Sequence, residues 1–97
     1  MYYQMYRKNV SDTLDAIFET QGQKLHEAGM VLAQVLEGDG LMYVFGCGHS
    51  HMLAEELFYR AGGLAPVYPI FETAAMLHEG AAKSSQIERM SGYAQHV

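Results

Sequence analysis

From residue 4 to residue 37, apolar side chains recur three and four positions apart. Val10, Leu14, Ile17, Phe18, Leu25, Ala28, Leu32, Val35 and Leu36 fall on one stripe, the spacing of an amphipathic helix. Gly22 and Gly29 interrupt the run, each at a cost of roughly 1 kcal/mol against Ala. One bent helix and two shorter helices are both open on this pattern. Gly38-Asp39-Gly40 closes the segment, with Gly38 the expected C-cap. The stripe is longer than one small domain covers, which predicts a partner chain over the remainder.

The pattern then changes period. Leu41-Met42-Tyr43-Val44-Phe45 is an unbroken apolar run ending at Gly46. It predicts a strand over 41–46, covered on both faces as in a parallel sheet. Helix formers from about residue 50 to 61 follow and stop at Gly62-Gly63. Leu64-Ala65-Pro66-Val67-Tyr68-Pro69-Ile70-Phe71 reads as a second strand. Its prolines remove ladder donors, so it should be short or near an edge. Strand, helix and strand in that order make a right-handed parallel βαβ unit. Glu72-Thr73 can cap a short turn through Met76 and Leu77, which Gly80 breaks. Ser85 with Glu88 three residues on matches a capping box, and Ile87, Met90, Ala94 and Val97 then share a helical face. The expected organisation is an N-terminal helix over 4–37 and a βαβα unit over 41–97. The class is α/β. Two strands are few for a stable sheet, so the chain reads as the first half of a larger fold.

Composition narrows the function classes. At 97 residues the chain supports one small domain. Its net charge of −5 provides no basic field for nucleic acid or an anionic membrane surface. A single Cys offers neither an intrachain disulfide nor a zinc-binding cysteine set. No apolar run approaches the roughly 20 residues of a membrane span, and the first residues lack a signal-type apolar core. The expected location is the cytoplasm.

The chemistry concentrates where the first strand meets its helix, at Gly46-Cys47-Gly48-His49-Ser50-His51. Glycines let a ligand approach the main chain, and helix N-termini attract anions. Ligands of open α/β sheets sit beyond the carboxyl ends of the strands. A phosphate-bearing ligand at 46–51 is the first inference. A dinucleotide fingerprint would need a third glycine where His51 stands, and no P-loop lysine is present.

Phe45-Gly46-Cys47-Gly48-His49-Ser50, ahead of Ala54-Glu55-Glu56-Leu57, resembles the sugar isomerase (SIS) domain family. The stretches His51 to Glu56, Phe58 to Gly63, Met76 to Ala81 and Lys83-Ser84-Ser85 look like an uncharacterised group of that family. The resemblance implies a flavodoxin-like, three-layer parallel sheet, of which this chain would be a partial domain. It also implies binding of a sugar phosphate, in enzymes that interconvert aldose and ketose phosphates or in non-catalytic sensors. Gly46, Cys47, Gly48, His49 and Ser50 would then hold the phosphate and sugar, with Ser50 matching the serine of the family's first turn. The family's second, Ser-x-Ser-Gly loop has no counterpart here. Phosphoheptose isomerases carry Ala-Glu-Glu-Leu one helical turn farther from that serine, so heptose phosphate is not supported as a substrate.

Isomerisation needs a base to move a proton between neighbouring carbons, work suited to a carboxylate or an imidazole. Glu55 and Glu56 point ~100° apart on a helix, so only one can face the turn; Glu56, or His78 from the same sheet edge past the second strand, is the expected proton carrier. A solvated or intersubunit carboxylate is the plain reading of Glu56, and an ordinary polar pair that of His78-Glu79. His49 and His51 can donate to phosphate or shuttle a proton; a helix-start histidine facing solvent is the duller reading. His49 and His51 diverge on a helix and no third ligand is evident, so neither metal nor any other cofactor is expected. Cys47 reads as a small residue filling the turn, since no base or acyl substrate accompanies it. Arg60 and Lys83 are surface charges or phosphate neighbours. The expected partners are a sugar phosphate and a second copy through the N-terminal helix.

Overall fold

The computed structural model describes residues 1–97, and the chain divides into two compact units, Met1–Glu37 and Gly38–Val97. The first is a single 36-residue helix, α1, Tyr2–Glu37, about 54 Å long at 1.5 Å per residue. It begins two residues before the periodicity does, and neither Gly22 nor Gly29 breaks it. None of its residues is buried. Val10, Leu14, Ile17, Leu25 and Leu32 are 41–51% exposed. Thr13 and Thr20 donate their hydroxyls to the carbonyls of Asn9 and Ala16, at 2.8 and 2.6 Å. That local bonding satisfies them without any tertiary partner. The left-handed residue after the helix is Asp39, at φ 53°, and not Gly38. Asp tolerates that region better than most side chains.

In the second unit, β1 (Met42–Phe45) and β2 (Val67–Ile70) form a parallel pair with Met42 opposite Val67 and Phe45 opposite Ile70. Val44 faces Pro69, whose missing N–H is tolerated in a sheet with two strands and two edges. Between them runs α2, His51–Leu57, which packs on both strands. It ends four residues short of the expected 61. Phe58 turns extended, Tyr59 takes φ 53°, and the Phe58 ring leaves the helix line to meet Phe71, centroids 6.3 Å apart.

After β2, Glu72 and Thr73 accept the amides of Ala75 and Met76 in a tight turn, as expected. The last helix, α3, spans Ala81–Ile87 and starts at Gly80. Ser85 therefore lies inside it, and the Ser85/Glu88 capping box does not form; Gly80, at φ 126°, makes the entry instead. The apolar positions beyond Ile87 fall on a turn and a short 3-10 segment, Tyr93–His96, so Met90, Ala94 and Val97 do not continue an α-helix. One further expectation is corrected. β1 is not covered on both faces: Tyr43 and Phe45 remain 64% and 47% exposed. The architecture is thus α/β, with a two-stranded parallel sheet and a long N-terminal helix. No helix is long and apolar enough to cross a membrane.

Candidate functional site

The buried residues are few. They are Ala54, Val67, Ala75 and Met76, with two polar side chains, His51 and Ser84. Gly46 explains how the chain turns there. A Cβ on it would lie 2.5 Å from the Ser50 carbonyl carbon and 2.7 Å from the His51 nitrogen. Only glycine lets the backbone fold back so closely. A 3-10 segment, Gly48–Ser50, then leads into α2, with Gly48 at φ 54°.

The Ala75 carbonyl anchors this turn from the loop after β2. It accepts the Gly48 N–H at 2.8 Å and the Ser84 hydroxyl at 2.7 Å. One acceptor thus joins the turn, the loop and α3. The turn's amides are consequently occupied: Gly48 by Ala75, Ser50 by Cys47, and His51 by the Gly48 and His49 carbonyls. These three do not form an open anion nest. What faces outward is the His49 and Ser50 side chains, both exposed, and the Ser50 hydroxyl caps nothing. Cys47 sits in extended conformation before the 3-10 segment and lines a small apolar recess with Phe45, Ala75 and Ile87.

Behind the turn, His51 is 4% exposed. Its Nδ1 bonds the Gly48 carbonyl oxygen. A carbonyl accepts only, so Nδ1 carries the proton. Nε2 lies 3.2 Å from Glu55 Oε1, one helical turn along α2. The His78 ring, from the loop after β2, stands edge-on to His51 with centroids 5.4 Å apart. One ligand-capable atom from each of His51, Glu55 and His78 lies within 4.8 Å of the others.

Of the residues expected from the sequence, His78 is thus brought to the turn and Glu56 is not. Glu56 bonds Arg60 on the exposed side of α2. Glu79 pairs with Lys83 at 2.7 Å, and that bond, then one to Thr73, holds its carboxyl below the ordinary value. Both cations considered for phosphate are therefore already paired. Ser84 spends its hydroxyl on the Ala75 carbonyl.

A family model described as the SIS domain matches residues 5–97. The chain belongs to the SIS domain family. It is also 52% identical over 81 residues to a UPF0309 protein of Listeria monocytogenes, covering 84% of this chain and 33% of that protein. A UPF0309 protein of Thermoanaerobacter pseudethanolicus is 54% identical over 86 residues, covering 87% and 35%. One of Geobacillus kaustophilus is 44% identical over 91 residues, covering 94% and 36%. The chain spans about a third of the length of these curated relatives.

Membership in the SIS family supports, at the level of the family, a phosphosugar-binding domain. The carboxylate expected from the sequence, Glu56, is one residue from the carboxylate that meets the imidazoles. The signal was present in the sequence: His51 and Glu55 are four apart, and such pairs meet on a helix. The contribution of His78 is not local, and only the parallel pairing that carries the loop after β2 back beside the turn reveals it.

Proposed function

We propose that this chain is the phosphosugar-facing part of a sugar phosphate isomerase. The observation that carries the reading is the grouping of His51, Glu55 and His78 directly behind the exposed His49-Ser50 turn of a SIS domain. His49 and the Ser50 hydroxyl meet the phosphate from their side chains, with Gly46, Cys47 and Gly48 shaping the turn that presents them. Aldose–ketose interconversion removes a proton beside the carbonyl and returns it to the neighbouring carbon. Glu55 is placed for that transfer: it is half-exposed, and its Oε1 rests against His51. His78, also exposed, stands where a second proton carrier is needed. Glu56 keeps its ion pair with Arg60 and takes no part.

The experiment is exchange of solvent deuterium into the sugar carbon beside the carbonyl, followed with aldose and ketose phosphates. Exchange in the parent protein, abolished by Glu55→Gln and retained in Glu56→Gln, supports an isomerase. Saturable binding weakened about tenfold or more by Ser50→Ala, with no exchange, supports a phosphosugar sensor instead. The exposed stripe of α1 supports the further reading that two copies associate through this helix, and the cytoplasm remains the compartment proposed.

A further inference from the structure

We propose that His51, Glu55 and His78 form a binding site for a divalent ion of the zinc class. The three side chains meet in space whether or not a sugar phosphate binds the turn, so this site is independent of the sugar reading. His51 is almost wholly buried, and its Nδ1 proton is committed to the Gly48 carbonyl. Its Nε2 therefore presents a lone pair toward Glu55 Oε1, 3.2 Å away. Two acceptors facing each other at that distance repel unless something positive lies between them. A second proton on the ring meets the need, and so does a metal ion.

Three observations favour the ion. The Nδ1 bond to a carbonyl is the outer contact that metal-ligating histidines make, and it fixes the tautomer and aims Nε2. The separation fits: ligands each about 2.0–2.2 Å from a tetrahedral zinc stand roughly 3.3 Å apart. A proton shared by His51 and Glu55 also leaves His78 without a purpose, whereas an ion uses it as third ligand. The three ligand atoms lie within 4.8 Å of one another. Both Glu55 and His78 are exposed enough to swing inward by that remaining margin. Two imidazoles and one carboxylate suit zinc or cobalt rather than calcium or magnesium, which take oxygen ligands. Three protein ligands leave a fourth position open, the pattern of catalytic rather than structural zinc. Glu55 binding through Oε1 leaves Oε2 free, so metal ligation and the proton transfer proposed above are compatible.

The test uses metal alone. The protein is stripped with chelator, loaded with Zn2+ or Co2+, and assayed by elemental analysis and by the visible absorption of tetrahedral Co2+. One ion per chain is expected, with a cobalt spectrum showing nitrogen and oxygen ligation. Losing an outer partner typically weakens metal binding about 10–100-fold. Losing a ligand, in His78→Ala or Glu55→Gln, should weaken it by at least about 100-fold. His26→Ala and His96→Ala, at exposed positions elsewhere, should bind as the parent does. His78 is exposed, so its removal leaves the core intact, and circular dichroism checks this. Substoichiometric binding by the parent, or binding that survives both His78→Ala and Glu55→Gln, overturns the site. Neither result touches the sugar reading, which is measured by phosphosugar binding and deuterium exchange on the metal-free protein.

Discussion

The two units of this chain handle apolar side chains in opposite ways. α1, 36 residues long, carries a regular stripe from Val10 to Leu36 and buries none of it. Residues 38–97 bury six residues, two of them polar, and those two, His51 and Ser84, bond the carbonyls of Gly48 and Ala75. A long periodic face without tertiary cover is the basis of the proposed association of two copies, since helical stability in proteins comes mainly from packing an amphipathic face. A small core that encloses His51 and Ser84 is arranged for position. The Ala75 carbonyl holds the turn, and the turn holds His51 against Glu55.

The sharpest way to break this contrast is at Gly46. Gly46→Ala puts a methyl group 2.5 Å from the Ser50 backbone, and backbone cannot move aside as a flexible side chain would. The expected loss is about 3 kcal/mol, the upper range for overpacking. Thermal unfolding should show it, with the helical signal of α1 retained while the second unit melts early. On the other side of the comparison, Ile17→Asp places a charge on the α1 stripe. It should weaken self-association at least tenfold, equal to about 1.4 kcal/mol, by sedimentation, while the His51 environment stays unchanged. A smaller effect of opposite sign is expected at Gly22. An added Cβ there meets nothing within 4 Å, so Gly22→Ala should stabilise α1 by about 1 kcal/mol, read from helicity against temperature.

The smallest effect is a pH dependence confined to the second unit. Tyr93 donates its hydroxyl to Glu72 at 2.8 Å, and that bond raises the phenol above its ordinary value. Folding favours the protonated phenol. Its contribution is therefore complete below the unfolded value of about 10 and is lost as pH rises through the higher folded value. Melting curves of the parent and Tyr93→Phe should differ slightly at neutral pH and converge at strongly alkaline pH.

Local patterns were readable where one periodicity or one residue type decides the outcome. The stripe of Val10 to Leu36 announced α1, and Leu41–Phe45 with Val67–Ile70 announced the parallel pair. The α2 stop at Phe58 was not readable, because it depends on a ring contact with Phe71 across the sheet. Ser85 looked like a cap because its spacing to Glu88 fits. Tertiary bonding of the neighbouring Ser84 to Ala75 set the helix start earlier. At the site, the glycine turn, the candidacy of His78 and the four-residue spacing of His51 and Glu55 were visible, while the meeting of His78 with that pair required the parallel pairing that brings the loop after β2 beside the turn. The occupied amides of Gly48, Ser50 and His51 were likewise invisible: the Gly48 acceptor, Ala75, comes from the loop after β2, and the Ser50 and His51 acceptors are carbonyls of the motif itself, brought round by the 3-10 turn.

The central claim is that the turn and the three side chains behind it form one ligand-facing site. The direct measurement is a titration of nitrogen-15-labelled protein with fructose and glucose phosphates, following every amide and imidazole resonance. The account predicts saturable shifts concentrated at His49, Ser50, His51, Glu55 and His78, and absent in Ser50→Ala. Saturable shifts gathered elsewhere, for example along Phe58–Ala65, or no shifts at all with the protein folded, would contradict it.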